Sequence, residues 1–205
     1  MDLPIAKSLQ EVRDGVLVWE AFSPHHKVEL TSSAIVVDGN LYVFDPIPLM
    51  EEPLRSLEAK GRPRAVILTN ENHFRNSDDL RIRWKIPVLA GHGANFEGQP
   101  TNWLRPGQDS YDGFRLFRLE GGAGGELAFF HPHLRTLIVG DVLFNLPGHG
   151  FGVLPGPYCT DRPKLLQQLR KLPTLDFDHL LMAHGQPIKD DPAARIEELL
   201  DGVAA

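Results

Sequence analysis

Residues 64–69, RAVILT, constrain the fold more than any other stretch: a compact apolar run, bounded by Pro63 before it and by the polar cluster Asn70-Glu71-Asn72-His73 after it. A run this short and this apolar reads as a strand buried on both faces, which requires covering layers above and below it. Its polar exit places reactive side chains at a strand end, where a rigid sheet can position them. Other segments repeat the pattern. Residues 15–22, 31–37 and 41–44 read as strands, the last two joined by the turn signal Asp38-Gly39-Asn40. Residues 87–90, 114–119, 126–130, 136–139 and 179–183 read as further strands.

Helices separate them. Leu49, Leu54 and Leu57 fall at helical spacing within residues 48–59, and Ser77 or Asn76 is expected to cap a helix running to Trp84. Asp161 with Pro163 opens a helix carrying Leu165, Leu166 and Leu169, and Asp190 or Asp191 with Pro192 opens a terminal one. The Gly/Pro-rich residues 147–157 read as a long ordered loop. Strands and helices mixed in this order imply an α/β architecture of sheets covered by helices.

The chain has 205 residues, 42% of them hydrophobic, enough for the core such layers need, and a single domain over residues 1–205 is expected. No apolar run reaches membrane-spanning length, and the first residues lack the charged-then-apolar pattern of a secretory leader, so no membrane association is expected. A net charge of −6 offers no basic face, and nucleic acid is not an expected partner. The single cysteine, Cys159, excludes an internal disulfide and a cysteine-rich zinc site, and makes the expected compartment cytoplasmic. No Gly-x-Ser-x-Gly elbow supports a serine hydrolase, and the glycine run at residues 121–125 lacks the Lys-Ser/Thr ending of a phosphate loop.

Four strand ends then form a series: VFDP with Asp45, ILT followed by the polar cluster, IVGDVLF with Asp141, and LLMAHGQP with His184. In this order, with a glycine-rich turn before the third, the series resembles the metallo-β-lactamase superfamily over residues 30–190. The resemblance implies a four-layered αββα sandwich with a metal site at one edge of its two sheets. It also implies hydrolysis, of thioesters, lactams, lactones or phosphodiesters among others. Of the ligands it implies, the His-x-His-x-Asp-His positions fall on Asn70, Asn72, Phe74 and Arg75, and the next on Gly122. Asp141 and His184 keep the remaining two, and Asp45 corresponds to a residue that ties the site loops together.

These substitutions set the functional expectations. The metal site is expected to be largely lost, with no cofactor, and Arg75 to pair bidentately with Asp141 in the ion's place while Phe74 dries the pocket. If a metal binds, one zinc, iron or manganese ion at Asp141 and His184 is expected. Its third ligand would come from His73, from Glu71 after a register slip, or from an Asn amide oxygen. Asn70, Asn72, Arg75 and His149 are candidate ligand-binding residues, and Asp141, His184 and His73 candidate catalytic ones. The other six histidines read as surface or turn residues. The leading expectation is a protein that binds a small molecule or partner in the old cleft. The alternative is a working hydrolase of thioester, ester or lactone type, with one weakly held metal or metal-free acid/base chemistry, and a scaffold protein is a third.

Overall fold

In the computed structural model, which describes residues 3–96 and 98–204, seven strands form the first sheet. They are β1 (Gln10–Arg13), β2 (Val16–Ser23), β3 (Val28–Val37), β4 (Asn40–Phe44), β5 (Arg62–Ile67), β6 (Val88–Gly91) and β7 (Asn102–Leu104), side by side in chain order. Strands β1 to β4 are antiparallel, and β4 to β7 run parallel. The second sheet contains β8 (Ser110–Tyr111), β9 (Phe114–Arg118), β10 (Leu127–His131) and β11 (Thr136–Val139). After a separate hairpin of β12 (Leu143–Leu146) and β13 (Gly150–Val153), β14 (His179–Met182) returns to pair parallel with β11, giving the order β14-β11-β10-β9-β8.

Alternate side chains of the central strands enter different cores, because side chains along a strand point to opposite faces. In β2, Val16 and Val18 face the layer between the sheets, with Phe44, Phe114 and Phe129, while Leu17 and Trp19 face outward. The outward face packs beneath α1 (Glu51–Glu58) and α2 (Ser77–Trp84) through Leu54, Leu57 and Leu80. On the second sheet, Ala128, Phe130, Leu137 and Val139 turn toward α3 (Arg162–Leu169) and α4 (Pro192–Ala204), meeting Leu165, Leu169, Ile196 and Leu200. Three cores between four layers make the αββα sandwich.

Several local readings hold and three change. Asp38 and Gly39 both have positive φ, 49° and 72°, as the tight β3–β4 turn requires. Asp161 caps α3 by accepting from the Lys164 N–H. Residues 147–157, in contrast, are partly a hairpin: β12 and β13 pair across Gly148 and Gly150, both at positive φ. Neither Asn76 nor Ser77 caps α2; Asn76 makes no side-chain cap bond and the Ser77 hydroxyl is buried without a partner. His131, expected in the turn at the hairpin tip, is instead the last residue of β10 and is buried. Among the described residues, no helix is long and apolar enough to cross a membrane.

Candidate metal centre

Two parallel strand pairs, one in each sheet, end at the same edge. Asp45 follows β4, Thr69 and Asn70 lie just beyond β5, Asp141 follows β11 by two residues, and His184 follows β14. His73 is delivered by a single 3-10 turn, Glu71–His73, whose start is fixed because the Asn70 side chain accepts the Asn72 N–H. These residues meet around one atom. Nε2 of His73 and Nε2 of His184 lie 2.9 and 3.0 Å from Oδ1 of Asp141. Oδ1 is buried and receives no aligned hydrogen bond, although both rings approach it.

The far nitrogens explain the ring orientations. Nδ1 of His184 faces the Glu29 carbonyl oxygen at 3.0 Å, which can only accept, so Nδ1 carries the proton. Nδ1 of His73 faces Oδ2 of Asp45 at 3.0 Å, and Asp45 is in turn held by the Thr69 N–H and hydroxyl. Each ring therefore turns Nε2 toward Asp141, either as an N–H or as the lone pair a cation needs. Gly185 permits the close turn after His184: a Cβ there would sit 1.9 Å from the Asn145 carbonyl oxygen.

Charge is concentrated here. Burial alone would push His73 down, but Asp141 and Asp45 outweigh burial and the opposing Arg75, holding its pKa up at about 9. Burial would raise Asp141, and His73 and His184 overcome it, keeping that carboxyl well below its ordinary value. Because the folded His73 binds its proton more tightly than the unfolded chain, its contribution is complete below about pH 6.5 and is lost as pH rises through about 9. Metal-free protein is thus expected to lose about 3 kcal/mol of stability between pH 6 and pH 9.5. Chemical denaturation across that range checks this; stability that is flat or rising would contradict the assignment.

The sequence profile of the metallo-beta-lactamase superfamily matches residues 6–203. The chain belongs to this superfamily. None of the curated proteins matches its sequence. Among solved structures it is similar to DIM-1 metallo-β-lactamase at 12% identity and a TM-score of 0.76, covering 99% of this chain and 100% of that one. The metallo-β-lactamases of Pontibacter korlensis and Erythrobacter litoralis give TM-scores of 0.73 and 0.70 at 12% and 14% identity, with 95% and 98% of this chain and 98% and 95% of theirs covered. At such identities the likeness establishes the fold.

Against the superfamily pattern, each candidate residue now has a place. Asp141 and His184 come together as expected, and His73, outside the ligand motif, supplies the third donor. Their donor atoms all lie within 4.8 Å of one another, and no other such group of three His, Cys, Asp or Glu converges among the described residues. Arg75 corrects its expectation. Its backbone takes a φ of 40°, and its guanidinium donates to the carbonyl oxygens of Thr31, Asp45 and Ala183 instead of pairing with Asp141. Those oxygens lie on or just beyond strands of both sheets, so Arg75 is a half-buried clamp. Phe74 does not dry the pocket; it packs in the outer core beneath α1 and α2. Glu71 accepts the backbone N–H groups of Gly124 and Asn95, which ties two loops and takes it out of any ligand role.

Asn70 donates to Asp141 Oδ2 and to Glu126, whereas Asn72 reaches Oδ2 only at 3.5 Å. His149 sits exposed at the β12–β13 tip with its ring toward the Pro147 carbonyl oxygen, so no contact brings it to the site. Glu126 was missed by sequence reasoning; a lone acid heading the apolar run LAFF was its only signal.

The donor set fits one cation. Two imidazole nitrogens and one carboxylate oxygen match a three-ligand site that keeps an open position, and the unsatisfied Oδ1 is what an ion would satisfy. The partners of both Nδ1 atoms are the outer supports such ligands carry.

Proposed function

We propose that this protein is a hydrolase of the metallo-β-lactamase superfamily that works with one metal ion, held by His73, Asp141 and His184. The observation that carries this reading is the convergence of three donor atoms on one point, with both rings fixed from behind so that Nε2 faces inward. Bound there, a zinc, iron or manganese ion would supply Lewis-acid activation of water and of an acyl oxygen. The protein supplies the rest. Asp45 and the Glu29 carbonyl hold the rings, and Asn70 holds Oδ2 of Asp141 so that Oδ1 is presented. The side chains of His184 and Asp141 are 19% and 14% exposed against 3% for His73, so a substrate approaches from the His184 side. An acyl compound of thioester, ester or lactone type suits this chemistry and the superfamily.

A second reading has one observation in its favour. Without an ion, the carboxylates of Asp45 and Asp141 are balanced by Arg75 and a protonated His73, and His73 is held up at about 9. In that state the cleft would bind a small molecule or partner without metal chemistry. A panel of thioesters, esters and lactones separates the two. The metal reading expects turnover that falls about 100-fold or more on chelation or in His184→Ala, and that added zinc, iron(II) or manganese(II) restores only in the unsubstituted protein. Turnover indifferent to chelator, or none across the panel with metal supplied, would contradict it.

A further inference from the structure

Among the described residues, Glu126 is the one buried acid near the centre to which the proposed metal chemistry assigns no role. It lies just before β10 and is 4% exposed, with Oε2 accepting Asn70 Nδ2 at 3.0 Å and Oε1 unpartnered. Its carboxyl fills space left by two glycines. A Cβ on Gly140 would stand 2.5 Å from Oε1, and one on Gly122 would stand 3.4 Å from its Cγ. Gly140 immediately precedes Asp141, so the carboxyl is packed behind the strand end that carries that ligand.

Asn70 makes the connection. Its Oδ1 accepts the Asn72 N–H at 2.9 Å, which settles the orientation of the carboxamide and turns the NH2 group the other way. The two protons of that group have two acceptors: Oε2 of Glu126 at 3.0 Å and Oδ2 of Asp141 at 3.1 Å. Oδ2 is thereby occupied, and Oδ1 is the oxygen left facing His73 and His184. Were the Glu126 acceptor removed, a buried Asn70 proton would lose its partner, and the carboxamide could rotate away from Asp141.

We propose that Glu126 is a positioning residue which, through Asn70, fixes which oxygen of Asp141 is presented to the two imidazoles. Burial first and Asp141 second hold the Glu126 carboxyl well above its ordinary value. Glutamine keeps an acceptor oxygen at the same reach for the Asn70 NH2 group and is its nearest functional substitute, and alanine abolishes the bridge.

The effect on metal affinity rests on the one-metal reading; the effect on Asn70 does not. Two measurements on the full chain test the proposal. The first is hydrogen exchange of the Asn70 side-chain amide by NMR on metal-free protein. Protection is expected in the unsubstituted protein, lost by about tenfold or more in Glu126→Ala and kept in Glu126→Gln. The second is zinc affinity by equilibrium competition: about 10–100-fold weaker in Glu126→Ala, within about threefold in Glu126→Gln, and not additive with Asn70→Ala. Unchanged Asn70 protection in a folded Glu126→Ala protein, or additive losses, would overturn the proposal. If the unsubstituted protein binds no zinc, the one-metal reading falls, and Asn70 protection alone decides the role of Glu126. Circular dichroism identifies a variant that fails to fold, and Glu126→Gln against Asn70→Ala then carries the comparison.

Discussion

Replacing Arg75 with methionine is expected to lower folding stability by about 2–4 kcal/mol, through the loss of charge-assisted hydrogen bonds from a half-buried side chain. The side chain is half-buried and donates to three carbonyl oxygens: Thr31 in β3 and Asp45 after β4, both on the first sheet, and Ala183 after β14 on the second. Methionine fills much of the same volume but removes one donor from each carbonyl, leaving the Ser32 hydroxyl on Asp45 O and the Thr31 N–H on Ala183 O. It also removes the positive charge beside Asp45 and Asp141. Burial pulls the guanidinium below its ordinary pKa while these two carboxylates hold it up, so the charge and its surroundings are mutually dependent. For a chain of this size, about 2–4 °C of melting temperature accompanies each kcal/mol, and a fall of roughly 4–16 °C is expected. Arg75→Lys is expected to recover only part of the loss, because a single ammonium cannot match the planar fork. A methionine variant within about 1 kcal/mol of the parent in chemical denaturation would show that the clamp is not needed.

Asp141→Asn is expected to have the largest effect on the site itself. The amide nearly preserves shape, and Asn70 can still donate to an oxygen in the place of Oδ2, but the negative charge is gone. Metal affinity is expected to fall more than about 100-fold, beyond what loss of an outer support alone causes. The same change removes the strongest upward influence on His73. The imidazole then reverts toward its ordinary range, and the fall in stability expected between pH 6 and pH 9.5 disappears. The variant should be about 3 kcal/mol less stable than the parent at pH 6 and should approach it at pH 9.5, both measured without metal. Affinity within about threefold of the parent, or an unchanged pH profile, would remove Asp141 from the centre of the account.

Much of this fold was legible because burial on both faces leaves a strong mark on sequence. The run 64–69 and the strands around 41–44, 136–139 and 179–183 read correctly, and their polar exits gave Asp45, Asp141 and His184 directly. The hairpin β12–β13 was hidden because Gly148 and Gly150, which its turn uses, have the composition of a loop. Arg75 was misread for a different reason. Its partners are backbone carbonyls at positions 31, 45 and 183, and carbonyl direction has no signature in side-chain identity. His73 stood as one of three alternatives for a third ligand, since its ring direction depends on the Asn70 cap, on Asp45 and on Thr69 at once. Glu126 escaped because an acid at the head of a strand reads as solvated, and only the two small glycines beside it make room for a buried carboxyl.

The most direct test of the account is elemental analysis of protein purified without chelator, alongside His73→Ala. About one zinc, iron or manganese ion per chain is expected in the parent and less than about a tenth of that in the variant, because His73 is the ligand that completes the three-donor set. A parent that is free of metal, or one that carries about two ions per chain, would contradict it.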